Sequence, residues 1–284
     1  MAVRIRLASL LAIAGATALA LLPLAALFVF FGVYNVAATS AHSRLIYWLV
    51  HTTAIRSIKW RARNIEVPDL ARPAMALRGL ALFKEHCVLC HGAPGVARQD
   101  FAKGFLPGAP PLAQVGREWP PQEVYWTIRH GIKMTAMPAW EYRLADSDLW
   151  ALTAFVRVLP NLSPADYQAL AASQPEPQKP AAGRSAEPAH GPADVSRGKT
   201  AFHQYACHMC HQAPGISGPQ AQVGTPLQGV AQRRYIAGVL ENTPENMLLW
   251  IQHPQQIKPR SAMPDLGVTA RDARDISAFL YTLK

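Results

Sequence analysis

The chain has 284 residues, hydrophobic side chains at half of its positions and a formal net charge of +10 at pH 7. Its length suggests one to three domains. Lysine and arginine are spread along the chain, so it lacks the dense basic tract of a nucleic-acid-binding protein, and no nucleic-acid partner is predicted. The charge suits solubility, attraction to anionic lipid, or steering towards an acidic protein.

A long apolar run stands near the beginning of the chain. Residues 7–33 are almost wholly apolar, and residues 7–43 contain no Asp, Glu, Lys or Arg. About 20 such residues span a bilayer core as a helix, whereas the apolar part of a secretory signal has only about 7 to 15. The run therefore predicts a retained, single-pass membrane anchor over residues 1–41 rather than a cleaved signal.

The segment that follows, residues 42–72, is predicted to connect this anchor to the rest of the chain. Its part 44–60 is too short and too polar to span a membrane, and it mixes Tyr47, Trp48 and Trp60 with basic residues. That composition predicts a helix that lies at the lipid surface or packs on a partner. An ordinary amphipathic connector is the alternative.

Two similar halves occupy the remainder, at residues 73–162 and 196–284. Between them lies a predicted linker, 163–195, whose central part 173–193 is rich in proline and alanine. Such a composition cannot build a core and predicts an extended, mobile segment. Each half is small for a core made of side chains alone, so something else is expected to fill its interior.

The periodicity of both halves predicts an all-α fold, with no strand of any length. Each half is predicted as a start helix, a cysteine motif, a loop, a middle helix, a methionine loop and a final helix. Thr243 before Pro244 is typical of a helix start, and Thr269 with Asp272 resembles a capping box.

Small and aromatic residues recur at matching places in the start and final helices of the two halves. Gly79 and Gly198 stand in the start helices, and phenylalanine recurs in both helices of each half. This pairing predicts that the first and last helices of each half cross closely. The phenylalanines concerned are Phe83, Phe155, Phe202 and Phe279.

All four cysteines of the chain lie in two copies of one motif, Cys-x-x-Cys-His. The first copy is Cys87, Cys90 and His91, and the second is Cys207, Cys210 and His211. This spacing attaches haem c: the thiols bond to the two vinyl groups of the porphyrin, and the imidazole binds its iron. A zinc ribbon needs its cysteine pairs about 15 to 20 residues apart, and disulfides do not account for the histidine. The sequence therefore predicts two covalently bound haem c groups.

A methionine thioether is the usual second axial ligand of an electron-carrying cytochrome c. Met134 and Met137 compete for this role in the first half. The repeat favours Met137 and Met263, because each begins a Met-Pro pair shortly after an Ile-Lys pair. Met134 is the substitute for Met137. Ligation by a second histidine is a further alternative, through the equivalent residues His130 and His253.

With these motifs in place, both halves resemble class I cytochrome c domains, over roughly 78–160 and 197–284. The whole chain resembles a membrane-anchored dihaem cytochrome c of bacterial respiratory chains, and residues 117–140 are similar to the first domain of such proteins. Residues 233–267 are similar to the cytochrome c domain fused to subunit II of some haem-copper oxidases. That family also carries a copper domain with its own cysteines, which this chain cannot supply, so subunit II itself is excluded.

The resemblance implies an electron carrier rather than an enzyme, since both halves retain a methionine loop and leave no iron with an open position. It would take single electrons from a quinol-oxidising complex or a dehydrogenase and donate them to a haem-copper terminal oxidase. The alternative is the cytochrome subunit of a periplasmic dehydrogenase complex.

The expected location is the bacterial inner membrane, with the N-terminus in the cytoplasm and the haem domains in the periplasm. Arg4 and Arg6 favour this orientation, whereas four basic residues within 56–63 oppose it. The haem chemistry decides for it, because it requires the body of the chain to lie outside. Lipid and a respiratory complex are the predicted partners. The sequence does not indicate an oligomeric state.

Overall fold

The computed structural model of the chain describes residues 7–173, 192–218 and 223–284. These residues are mostly helical, as predicted. The first described range holds α1 Leu7–Phe30, α2 Arg44–Ala62, α3 Pro73–His86, α4 Val88–His91, α5 Asp100–Lys103, α6 Leu112–Glu118, α7 Pro121–His130, α8 Asp146–Val158 and α9 Pro164–Ser173. The other ranges hold α10 Val195–Gln204, β1 Tyr235–Ile236, β2 Leu240–Glu241, α11 Pro244–Gln252, α12 Pro254–Ile257 and α13 Ala270–Leu280.

The first helix, α1, covers most of the apolar run. Its part Ala12–Phe30, 19 residues long, is apolar enough to cross a membrane, and none of it is buried against the rest of the protein. A signal sequence would meet the same test of length and composition. The structure therefore contains one candidate N-terminal membrane helix among its described residues.

The helix predicted over 44–60 is present as α2. Its C-terminal half packs against α7, where Ile58 and Ala62 are buried. In its N-terminal half, Tyr47 and Trp48 are exposed. The C-terminal end of α2 is thus buried against the first half, whereas the aromatic side chains near its N-terminal end are exposed.

In the first half, the predicted close crossing of first and last helices is confirmed. A Cβ atom at Gly79 of α3 would lie 1.9 Å from the carbonyl oxygen of Ala151 in α8. Only glycine allows two backbones to approach so closely. One turn further on, the rings of Phe83 and Phe155 lie 5.1 Å apart and are almost fully buried.

The second half repeats the arrangement with α10 and α13. A Cβ atom at Gly198 would lie 1.9 Å from the carbonyl oxygen of Asp275. The rings of Phe202 and Phe279 lie 5.7 Å apart in an edge-to-face contact. The internal repeat of the sequence is therefore a repeat of structure, built on the same crossing.

The predicted starts of the last two long helices are also confirmed. The hydroxyl of Thr243 accepts a hydrogen bond from the backbone N–H of Asn246 at 3.2 Å. The hydroxyl of Thr269 accepts one from the backbone N–H of Asp272 at 3.1 Å. Each cap satisfies one of the free N–H groups at a helix start.

The expectation that the halves contain no strand was wrong in one place. Strands β1 and β2 pair antiparallel as a small hairpin, with Tyr235 opposite Glu241 and Ile236 opposite Leu240. Two residues per strand are too few to give an alternating pattern, which needs a run of about 4 to 8. The hairpin is therefore invisible to sequence periodicity.

Part of the segment assigned to the linker is helical. Helix α9 packs on α3, where Tyr167 is buried with its ring 6.4 Å from that of Phe83. The ammonium group of Lys84 donates to the carbonyl of Ala171 at 2.8 Å. The extended character predicted for the rest of the linker concerns residues 174–191, which lie outside the described residues.

Candidate haem-binding sites

The first motif lies on a short helical turn that follows α3. The backbone N–H groups of Cys90 and His91 both donate to the carbonyl of Cys87, at 3.2 and 2.9 Å. Positions i, i+3 and i+4 of such a turn lie on one side of it. Both thiols and the imidazole therefore share a face, as attachment to one planar group requires.

The second motif reaches the same geometry by a different entry. Cys207 lies one residue further from Gly198 than Cys87 lies from Gly79. Just before Cys207, Ala206 adopts a left-handed conformation with φ of 56°. The N–H groups of Cys210 and His211 then donate to the carbonyl of Cys207, at 3.1 and 2.9 Å. The turn that carries the motif is the same in both domains.

Each motif histidine is held by a backbone carbonyl. The Nδ1 atom of His91 lies 2.8 Å from the carbonyl oxygen of Pro110, and that of His211 lies 2.8 Å from the carbonyl oxygen of Thr225. A carbonyl only accepts, so Nδ1 must carry the proton, and Nε2 keeps its lone pair for a metal. Burial lowers the pKa of His91, which favours this neutral form.

These two carbonyl partners were missed in the sequence. A faint signal was present, because Pro110 and Thr225 each precede a Pro-Leu pair, at Pro111 and at Pro226. The distance from histidine to this pair differs between the halves, so the pairs do not align when the repeats are superposed on their histidines. Backbone groups also leave no residue type by which they can be recognised.

The two methionine loops are built alike. The backbone N–H of Met137 donates to the hydroxyl of Thr135 at 3.1 Å, and that of Met263 donates to the hydroxyl of Ser261 at 3.2 Å. Met137 is half-buried against the core cluster that also contacts Cys87, and Met263 against the one that contacts Cys207. In each domain, the methionine and the first cysteine thus adjoin the same core.

The remaining candidate ligands lie elsewhere. Met134 is 99% exposed at the tip of its loop, with a left-handed backbone. His130 ends α7 on the surface, with Nδ1 3.6 Å from a carboxylate oxygen of Glu141. His253 follows α11 and is also exposed.

The surroundings of the thiols are apolar. Burial raises the pKa of the Cys87 thiol to about 12 and that of Cys207 to about 11. Clefts of about 550 and 330 Å³ open beside His91 and His211 respectively. Both clefts lie on the histidine side, since the described methionine loops do not line them.

Two helical domains, each with a crossing of first and last helices and a Cys-x-x-Cys-His turn, define a c-type cytochrome. Residues 74–156 match the family model described as cytochrome c oxidase, cbb3-type, subunit III, and residues 195–284 match the cytochrome c model. Cytochrome c oxidase subunit 2 of Alkalihalophilus pseudofirmus is 31% identical over 91 residues, which make up 32% of this chain and 26% of that protein. None of the solved structures gives a significant match.

These findings support a dihaem c-type cytochrome of respiratory chains, and the resemblance of both halves to cytochrome c domains is confirmed. Two cytochrome c domains carry two covalently bound haem c groups, which the paired cysteines fit, together with histidines whose Nδ1 atoms are already bonded to backbone carbonyls. The match to the curated relative spans only about a quarter of that protein.

Proposed function

We propose that the protein carries single electrons on the outer face of a bacterial inner membrane and donates them to a haem-copper terminal oxidase. The observation that carries this proposal is the agreement of two comparisons. The family matched by residues 74–156 is named for an oxidase subunit, and the relative from Alkalihalophilus pseudofirmus is an oxidase subunit as well. No comparison points to a dehydrogenase.

In the proposed first site, Cys87 and Cys90 would hold the haem through thioether bonds, and His91 and Met137 would bind its iron. The haem iron supplies the one-electron redox chemistry. The carbonyl of Pro110 orients the imidazole and fixes its tautomer, which keeps Nε2 available. The exposure of Met134 supports Met137 as the methionine ligand.

In the proposed second site, Cys207 and Cys210 would hold the haem, and His211 and Met263 would bind its iron. The carbonyl of Thr225 orients the imidazole of His211, and the hydroxyl of Ser261 accepts from the backbone N–H of Met263, as in the first domain. Methionine ligation raises the reduction potential of a haem, which suits donation to an oxidase. No side chain need act as acid, base or nucleophile in this function.

The hydroxyl bonds in the methionine loops give a first prediction. Thr135→Ala and Ser261→Ala each remove one acceptor and leave a backbone N–H without its partner, which costs about 1 kcal/mol of loop stability. The sulfur–iron absorption band of the affected haem should then disappear at lower guanidinium concentration than in the unaltered protein. Thr135→Ser, which keeps the hydroxyl, is the matched control. Identical denaturation of all variants would contradict the role given to these hydroxyls.

For membrane attachment, we propose that α1 is retained as a single anchor, with its N-terminus in the cytoplasm and both haem domains in the periplasm. The length of the helix supports an anchor over a signal, since its 24 residues exceed the usual apolar part of a secretory signal of about 7 to 15. The exposed Tyr47 and Trp48 of α2 would then lie against lipid, because aromatic side chains favour the membrane interface.

The oxidase proposal is tested in native membranes by following the reoxidation of pre-reduced c-haem after oxygen is added, with and without cyanide. We expect fast oxidation that cyanide blocks, because cyanide binds the oxygen-reducing centre of haem-copper oxidases. Membranes from cells that lack this chain provide the background signal to subtract. Slow or cyanide-insensitive oxidation of the remaining signal would overturn the proposal in favour of a dehydrogenase subunit.

A further inference from the structure

We infer that the two cytochrome domains are docked in one fixed arrangement, anchored by Tyr142, and that electrons pass between the two haem groups across this interface without separation of the domains. The inference rests on the proposed function as an electron carrier. It goes beyond that function, because a carrier with two independently moving domains would serve equally well.

The anchor of the interface is a tyrosine of the first domain that is buried in the second. Tyr142 follows the methionine loop of the first domain, yet it is only 7% exposed and belongs to the hydrophobic cluster built around Phe202 and Ile276. The guanidinium carbon of Arg197 lies 4.6 Å from the centre of its ring. A large aromatic side chain inserted into a partner is the usual energetic centre of an interface.

Hydrogen bonds flank this anchor on both sides. The guanidinium of Arg143 donates to the carbonyl of Gln204 at 3.0 Å. The hydroxyl of Tyr205 lies 3.4 Å from the carbonyl oxygen of Tyr142 and donates at 2.8 Å to a carboxylate oxygen of Asp272. These contacts fix the rotation of one domain against the other, which the apolar anchor alone would leave free.

A charge cluster joins the domains beside the anchor. Glu141 of the first domain accepts a hydrogen bond from Arg129 at 2.9 Å and lies 3.9 Å from the guanidinium of Arg197. The same guanidinium donates to the buried Asp272 at 2.7 Å. Arg197 thus shares its charge between carboxylates of both domains, in a site where water screens the interaction only partly. Loosely tethered domains, by contrast, share few contacts.

The position of the interface gives it a role in electron transfer. In the first domain, the rings of Trp140 and His86 are in tilted contact with their centres 4.7 Å apart, and His86 adjoins Cys87 in the sequence. In the second domain, Gln204 and Tyr205 immediately precede the turn that carries Cys207. The interface therefore adjoins the segments that carry the first cysteine of each motif, where a haem edge would be attached. Tunnelling between redox centres weakens steeply with distance, so docking at these edges favours direct transfer.

The test is flash reduction of the detergent-solubilised full chain, followed by the redistribution of the electron between the haems. We expect an intramolecular phase whose rate depends neither on protein concentration nor on solvent viscosity raised with glycerol. Tyr142→Ala should abolish this fast phase or make it viscosity-dependent, because the domains must then meet by diffusion. Tyr142→Phe keeps the ring and should retain the phase.

Controls separate the interface from the haem sites. Tyr235→Ala removes a half-exposed tyrosine of the second domain outside the interface and should leave the kinetics unchanged. The sulfur–iron bands and both potentials should be unaltered in Tyr142→Ala, which shows that the domains remain folded. Arg143→Ala removes the flanking hydrogen bond to Gln204, together with one to Ala139 within the first domain, and should slow the phase without abolishing it.

Two results would overturn the inference: a viscosity-dependent phase in the unaltered protein, or unchanged kinetics in Tyr142→Ala. Neither affects the cyanide experiment, which measures transfer to the oxidase. Conversely, cyanide-insensitive oxidation would refute the proposed acceptor without affecting the inference that the domains are docked.

Discussion

Replacing Met263 with alanine is expected to lower the reduction potential of the second haem and to remove its sulfur–iron absorption band. The thioether favours reduced iron, and its loss leaves water or another protein group in its place. Because axial ligands set haem potentials over a range of about 0.8 V, we expect a drop on the order of 0.1 to 0.3 V. Met137→Ala should do the same to the first haem. Redox titration with visible and near-infrared spectra measures both effects.

The chain provides a matched control for each variant. Met134 is 99% exposed, and Met209 is 52% exposed between the two cysteines of the second motif. Met134→Ala and Met209→Ala should leave both bands and both potentials unchanged. If Met134→Ala instead removed the band of the first haem, the assignment of Met137 would be refuted. A band that survived in Met263→Ala would refute the second assignment, because another sulfur would then have to bind the iron.

The second large effect concerns stability. Gly79→Ala would place a Cβ atom 1.9 Å from the carbonyl oxygen of Ala151 and 2.8 Å from Cβ of Phe155. The first of these contacts is to backbone, so α3 and α8 must move apart to accommodate the methyl group. Overpacking of a close-packed core typically costs 1–3 kcal/mol, and we expect about 3 kcal/mol here. Guanidinium unfolding followed by the loss of haem absorbance in the Soret region measures the change.

Gly104→Ala is the comparison within the same domain. Gly104 is exposed, its backbone φ is −84°, and the nearest heavy atom to an added Cβ lies 3.7 Å away. The free energy of unfolding of the Gly104→Ala variant should stay within about 0.5 kcal/mol of that of the unaltered protein. Equal stability of Gly79→Ala and Gly104→Ala would mean that the helices do not cross as closely as described. Gly198→Ala repeats the test in the second domain.

The elements that could be predicted from the sequence are those encoded by short, repeated patterns. The Cys-x-x-Cys-His motif specifies its own chemistry, and the duplicated glycine and phenylalanine positions indicate the helix crossing without further information. Thr243 and Thr269 indicate helix starts because capping is a local interaction. The proposed choice of Met137 over Met134 also rests on comparing the two halves.

Other features depend on contacts between distant parts of the chain. Tyr142 is one aromatic residue among several in the first half, and nothing near it in the sequence shows that it enters the core of the second. Helix α9 was included in the linker because of the proline-rich composition that follows it. Its residues Tyr167, Leu170 and Ala171 have helical spacing and pack towards the core, so periodicity examined over a shorter window would have found it.

The left-handed Ala206 bears on how the two domains can have diverged from a common repeat. One residue inserted within α10 would turn everything beyond it by about 100° and shift it by 1.5 Å along the axis. Gly198 and Phe202 would then no longer face α13 together with the haem turn. Placed after the last helical residue, the same insertion leaves the helix face and the motif in register. The joint between start helix and cysteine turn is thus a position at which the length of a cytochrome repeat can change while both its packing and its cofactor attachment persist.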